Sequence, residues 1–228
     1  MPVGIVTGGS QGLGFALARA LVRAGWTLVV DARRRTELER AREQLSLLGD
    51  VIALAGDVAD PRHREALVEA AGPRIDLLVN NASTLGASPL PALRDFPPAE
   101  LERVFRINAV APLALVQLAL PRLSDGARIV NVTSDAAVEA NPGWGGYGSA
   151  KAALEQLTAV LAAEHPELRV YAVDPGDMRT AMQQAAFPGV DISDRPPPEE
   201  SVPGLLALVD GSLPSGRYRA HDLSPIEA

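Results

Sequence analysis

Val3-Gly4-Ile5-Val6 runs directly into Thr7-Gly8-Gly9-Ser10-Gln11-Gly12-Leu13-Gly14, and Phe15-Ala16-Leu17-Ala18-Arg19-Ala20-Leu21-Val22 follows without a break. A short apolar run, a glycine-rich turn and a stretch of helical period make one strand–turn–helix unit. Glycine lets the backbone turn sharply and pass close to a ligand. The free N–H groups and positive dipole end of the helix that follows favour a pyrophosphate. The spacing is GxxxGxG: it is not GxGxxG, and it is not a P-loop, because no Lys-Ser or Lys-Thr pair follows Gly14. Taken alone, such a turn also serves as a plain tight connection.

The same unit repeats outward along the chain. Strand-like runs fall at about 2–6, 26–31, 51–55, 75–79, 127–132, 168–173 and 217–220, with helical patterns at about 12–24, 36–48, 61–71, 98–122, 146–164 and 200–209. The strands read as continuous apolar runs and not as alternating ones, so both faces of the sheet are covered. That predicts an α/β fold, a three-layer doubly wound parallel sheet of Rossmann type, with residues 1–228 as a single domain. Phe187 to Glu200, with Pro188, Gly189 and Pro196-Pro197-Pro198, lacks a period and reads as a loop; a substrate lid is expected at about 177–200.

Composition narrows the function. With 228 residues, 47% hydrophobic and 21% charged, the chain is of globular type. Its most apolar stretch, Ala109 to Leu120, is interrupted by Pro112 and Gln117 and is shorter than the ~20 residues of a membrane span. No basic n-region precedes a cleavage-type run, so a cytoplasmic protein is expected. The absence of cysteine and the wide spacing of His63, His165 and His221 predict no metal site. A net charge of −7 argues against nucleic-acid or anionic-membrane partners.

The one basic cluster follows the second strand, as Asp31-Ala32-Arg33-Arg34-Arg35. In dinucleotide folds an acid at this strand end takes the ribose 2′-OH, whereas an arginine pairs with a 2′-phosphate. Ala32 occupies the discriminating place, and Asp31 comes one residue early and faces the other way. Arg33, with Arg34, is then free to clamp a phosphate, which favours NADP over NAD. The alternative for these arginines is a solvated start to the next helix.

Asn108 sits on an otherwise apolar stripe of Leu101, Val104, Phe105, Pro112 and Leu115. Pro112 has no N–H to give the Asn108 carbonyl, so a kink with a free, buried acceptor is expected. The alternative is an asparagine satisfied by neighbouring backbone. Tyr147 and Lys151, four apart, share one helix face, where an ammonium beside the phenol lowers a pKa that is otherwise about 10.

With Asn80-Asn81-Ala82, Asn108, Ser134 and Tyr147-Gly148-Ser149-Ala150-Lys151 in order, the chain resembles the short-chain dehydrogenase/reductase family in its single-domain form. The resemblance runs from Val3 to about Arg219. Thr7 to Gly14 matches TGxxxGxG, Asp57-Val58 the adenine-side pair, Asn80 to Ala82 NNA, Tyr147 to Lys151 YxxxK, and Pro175-Gly176 the PG after strand six. The family's interval of thirteen between serine and tyrosine is present from Ser134 to Tyr147.

The resemblance implies hydride transfer between NADP(H) and a carbonyl or secondary alcohol. Tyr147 is then the general acid or base, Lys151 lowers its pKa, Ser134 polarises the substrate oxygen and the Asn108 carbonyl holds a proton-relay water. Gly8, Ser10, Gln11, Gly12, Leu13, Gly14, Arg33, Arg34, Asp57, Val58, Asn80, Ala82, Tyr147, Lys151, Pro175, Gly176, Met178 and Thr180 are the implied cofactor residues. Ser83 departs from the family's usual glycine after NNA, and Gln11 stands where many NADP-preferring members carry a base. The segment after Gly176, with Asp177, Met178, Thr180, Met182 and Phe187, joins Trp144 in facing a small-molecule substrate.

Two other readings share this core. An NADP-sensing regulatory protein needs the phosphate sites but not Asn108, Ser134, Tyr147 and Lys151. A lyase or epimerase on a nucleotide-activated sugar usually carries a larger C-terminal region than the 54 residues after Asp174. Alanines beyond one narrow stripe in segments 98–122 and 146–164, and the pairing of these helices in the family, predict a homo-oligomer, a dimer or more specifically a homotetramer.

Overall fold

The computed structural model describes residues 1–223. Seven strands, β1 (Val3–Val6), β2 (Thr27–Ala32), β3 (Val51–Ala55), β4 (Ile75–Asn80), β5 (Leu123–Val132), β6 (Arg169–Asp174) and β7 (Gly216–Arg219), form one sheet in the order β3-β2-β1-β4-β5-β6-β7. Every pairing is parallel. The order reverses between β1 and β4, which opens a crevice at their carboxyl ends.

Side chains alternate between two cores as strand period two demands. Val6, Val30, Val79, Val130 and Val173 meet α1 (Gly12–Arg23), α2 (Arg35–Ser46) and α8 (Val202–Asp210) on one face. Ile5, Val29, Leu78, Ile129 and Val170 meet α3 (Pro61–Ala71), α5 (Ala111–Ala119) and α6 (Gly145–Glu164) on the other. All six residues of β4 are buried, which accounts for the unbroken apolar reading of the central strands. The single three-layer domain is as expected.

Three local departures have identifiable causes. The helical segment 98–122 divides into α4 (Pro98–Phe105), a π-helical turn at Arg106–Val110, α5 and a closing 3-10 turn. Pro112 leaves the Asn108 carbonyl without its usual donor, and the backbone accommodates this by widening one turn. Counted as one run, residues 98–122 contain an 18-residue window of mean hydropathy 1.5, enough by length and composition for a membrane span, but half of that window is buried inside the fold. Second, α7 (Ala181–Ala186) lies in the segment expected as a lid, just ahead of the aperiodic stretch that begins at Phe187. Thr180 caps it by accepting from the Gln183 amide at 3.2 Å, so the Thr180-x-x-Gln183 spacing was an available start signal. Third, β5 begins at Leu123, earlier than its apolar run.

Candidate active site

The carboxyl ends of the strands border a cleft of about 1400 Å³. The glycine turn forms its floor, with Gly8 and Gly12 at φ of +70° and +57°, a region that favours glycine. A Cβ on Gly14 would collide with the Gly8 carbonyl and with Asn81, so the first helical turn packs directly on backbone. Gln11 makes no side-chain cap and no acid stands in the first turn of α1, so nothing from the chain competes for an anion there. This cradle fits the pyrophosphate of a dinucleotide.

Side chains from neighbouring strands brace the turn. Thr7 Oγ1 accepts from the Asn81 and Ala82 amides at 3.0 Å, and Asn81 Nδ2 donates to the Thr7 carbonyl at 2.8 Å. Asp31 is buried: its Oδ1 accepts from the Gly8 amide at 2.7 Å, and its Oδ2 lies 2.9 Å from His63 Nε2. Its direction, opposite to that of Ala32, agrees with the strand count, and its role as a brace is new. Ala32, Arg33 and Arg34 line the cleft beyond it. Arg34 donates to Gln11 Oε1 at 3.3 Å and pairs with Glu37 at 3.2 Å, whereas Arg33 has no ion pair among the described residues. Asp57 and Val58 border the same end.

Ser134, Tyr147 and Lys151 line the cleft together with Pro175, Gly176, Met178 and Thr180. Ser134 Oγ donates to Asp135 Oδ1 at 2.7 Å and accepts from the Ala136 amide at 3.2 Å. Lys151 Nζ donates to the Val132 carbonyl at 2.7 Å and stands 5.6 Å from the centre of the Tyr147 ring. Trp144 meets that ring edge-on at 5.7 Å and Phe187 at 6.0 Å, which gives the substrate side an aromatic wall.

Burial dominates the electrostatics of this pair. Burial pushes the Tyr147 phenol well above its ordinary value; the Ser83 hydroxyl pulls it down as a hydrogen-bonding partner, and Asp135 and Asp174 push it further up. Burial also pulls Lys151 down to about 7, with Glu155 opposing. Among the chain's own groups, burial is the largest influence on both, and it favours the protonated phenol and the neutral amine.

Not every anticipated residue lines the cleft. Asn80 turns into the sheet, where its Nδ2 donates to Asn131 Oδ1 at 2.8 Å, and Asn131 Nδ2 continues to Thr158 Oγ1 at 2.8 Å. Asn81, Ala82 and Ser83 border the cleft in its place. Gly14 and Asn108 stand behind the wall. Asn108 Oδ1 accepts from the Thr84 amide at 2.9 Å and from Ser83 Oγ at 3.1 Å, and its Nδ2 donates to the Thr84 carbonyl at 2.9 Å. The side chain is thus satisfied by backbone, and the widened helical turn concerns its carbonyl. The contacts of Ser83 with Asn108 and of Trp144 with Phe187 had no spacing signal, because they cross the fold, whereas Asp135 bonds its chain neighbours Ser134 and Ala136 and belongs to no motif.

A family model described as short chain dehydrogenase matches residues 2–191. The "Short chain dehydrogenase asqE" of Emericella nidulans is 36% identical over 173 residues, covering 70% of this chain and 63% of that protein. The rhamnolipids biosynthesis 3-oxoacyl-acyl-carrier-protein reductase of Pseudomonas aeruginosa is 32% identical, over 95% of this chain and 83% of its own. A short-chain dehydrogenase structure from Shigella flexneri, complexed with NADP, superposes with a TM-score of 0.87 at 27% identity, covering 96% of this chain and 97% of that one.

Proposed function

The chain belongs to the short-chain dehydrogenase family, and from that premise we propose that it is an NADP-dependent oxidoreductase acting on a small carbonyl compound or secondary alcohol. The observation that carries this reading is the meeting of Ser134, Tyr147 and Lys151 with an uncapped glycine turn in one cleft. The nicotinamide, when bound, supplies or accepts the hydride. Tyr147 gives its proton to the substrate oxygen during reduction, and a phenol held protonated by burial is loaded for that direction at neutral pH. Ser134 donates to the same oxygen once its hydroxyl turns from Asp135, stabilising the charge that grows there. Lys151 supplies the cation beside the phenol, and the Asn108 carbonyl holds a water toward solvent. Mixing the protein with NADPH and a panel of aldehydes and ketones should consume reduced nicotinamide; absence of consumption across the panel would contradict the reading.

The preference for NADP rests on Arg33, which lines the cleft without an ion pair among the described residues, and draws support from the NADP-bound relative. Arg33→Ala should weaken NADPH binding by about 1.5–3 kcal/mol, the scale of a charge-assisted hydrogen bond, and leave NADH nearly unchanged. Fluorescence titration with each cofactor measures both losses, and equal losses would show that Arg33 reads no phosphate. The remaining cofactor contacts are assigned to Gly8 through Leu13, Asp57, Val58, Ala82, Pro175, Gly176, Met178 and Thr180. Residues 177–200 are assigned as the lid over an apolar substrate body, bordered by Trp144 and Phe187.

The π-helical turn leaves Val110 54% exposed, and α5 and α6 leave Leu118 36% and Val160 43% exposed, with Ala159 and Ala163 also exposed. Small and apolar residues on a solvent-facing helix side suit a two-fold helix pairing, so a dimer or tetramer is proposed. Light scattering should give a multiple of the 23.9 kDa chain mass, and the mass of one chain would refute it.

A further inference from the structure

The edge strand β7 sends Arg217 back toward the segment that bears Ser134. Its Nη2 donates to the Ser134 carbonyl at 3.3 Å and lies 3.5 Å from Asp174 Oδ2, while its Nε donates to Glu155 Oε1 at 3.0 Å. Glu155 lies one helical turn beyond Lys151 on α6, and the same oxygen accepts from Thr133 Oγ1 at 2.7 Å. Asp174 ends β6, and its other oxygen accepts from the Gly176 amide at 3.0 Å. One guanidinium therefore touches three elements: the chain at Ser134, the helix that carries Lys151 and the residue before Pro175-Gly176. The Asp174 and Glu155 side chains are only 6% and 15% exposed, so without a cation both would be buried unpaired charges. Arg219 approaches Asp174 Oδ2 only to 4.0 Å and shares itself with Glu139 at 3.6 Å, leaving Arg217 as the principal counter-charge.

We propose that Arg217 is a positioning residue of the active site, fixing Ser134 relative to Lys151 and balancing the Asp174 and Glu155 carboxylates, the first of which acts on Tyr147. This rests on the reading of Tyr147 as the acid–base group. The charged groups around Tyr147 come from each neighbouring element: Asp135 after β5 and Asp174 at the end of β6 act on the phenol, and Lys151, whose cation Glu155 favours, stands 5.6 Å from the ring on its own helix. Asp174 already favours the protonated phenol. Stripped of its arginine, it does so more strongly, and the phenol holds its proton to higher pH.

The test is the pH profile of kcat/KM for NADP-linked oxidation of a secondary alcohol on which the parent turns over. Arg217→Met should move the tyrosine limb upward by roughly half a pH unit, the scale of one uncompensated charge nearby, and should lower kcat more than it raises KM. Arg217→Lys should restore most of the limb, and Asp174→Asn added to Arg217→Met should bring it back down. An Arg217→Met variant with an unmoved limb, whatever its melting temperature, overturns the proposal while the tyrosine assignment stands. A Tyr147→Phe variant with the parental profile overturns the tyrosine assignment, and this proposal with it.

Discussion

Tyr147→Phe should lose about 10²–10⁴-fold in turnover, the usual contribution of a general acid or base, while NADPH still binds and the fold is kept. The substitution removes one oxygen from a ring packed by Trp144 and adds no volume. Steady-state kinetics beside a cofactor titration separate the two effects. A variant keeping more than about half of parental activity would remove Tyr147 from the proton step.

Lys151→Met should be nearly as damaging to turnover, by about 10²-fold or more, yet it should make the protein more stable near neutrality. Lys151 is the only lysine in the chain, and burial holds it down to about 7 from an ordinary value of 10.5. Between those values the unfolded chain binds a proton that the folded chain does not. Parental stability therefore rises with pH across this window, and at pH 7 and below the cost of burying the cation is present in full. The methionine variant escapes that cost, so its advantage should be greatest at about pH 7 and fade toward pH 10. Urea unfolding of both proteins at several pH values measures the difference, and a flat difference from pH 7 to 10 would contradict a depressed lysine.

Much of the fold was legible because its signals are local. Strands such as Leu77-Leu78-Val79 are apolar on both faces because helices cover both, and Pro112 announced the disturbed turn at Asn108. The cleft was legible as a set of spacings, from Gly8 through Tyr147 and Lys151. What could not be read depends on long-range contact. Asn80 and Asn81 are adjacent in NNA, yet strand alternation sends one into the Asn131–Thr158 network and the other to the glycine turn. Strand alternation turns Asp31 the opposite way from Ala32, but its partners Gly8 and His63 come from other elements. The raised phenol and lowered lysine reflect burial, which a four-residue spacing does not encode. Arg217 lies in a short, half-exposed strand with no motif, and only the sheet order brings it to Ser134.

Direct hydride transfer is tested most plainly with NADPH deuterated at nicotinamide C4 and the carbonyl compound that the protein reduces fastest, followed by mass spectrometry of the alcohol. One deuterium on the former carbonyl carbon, with the hydroxyl proton from solvent, is the predicted result. An alcohol whose new carbon-bound hydrogen comes from water would contradict it.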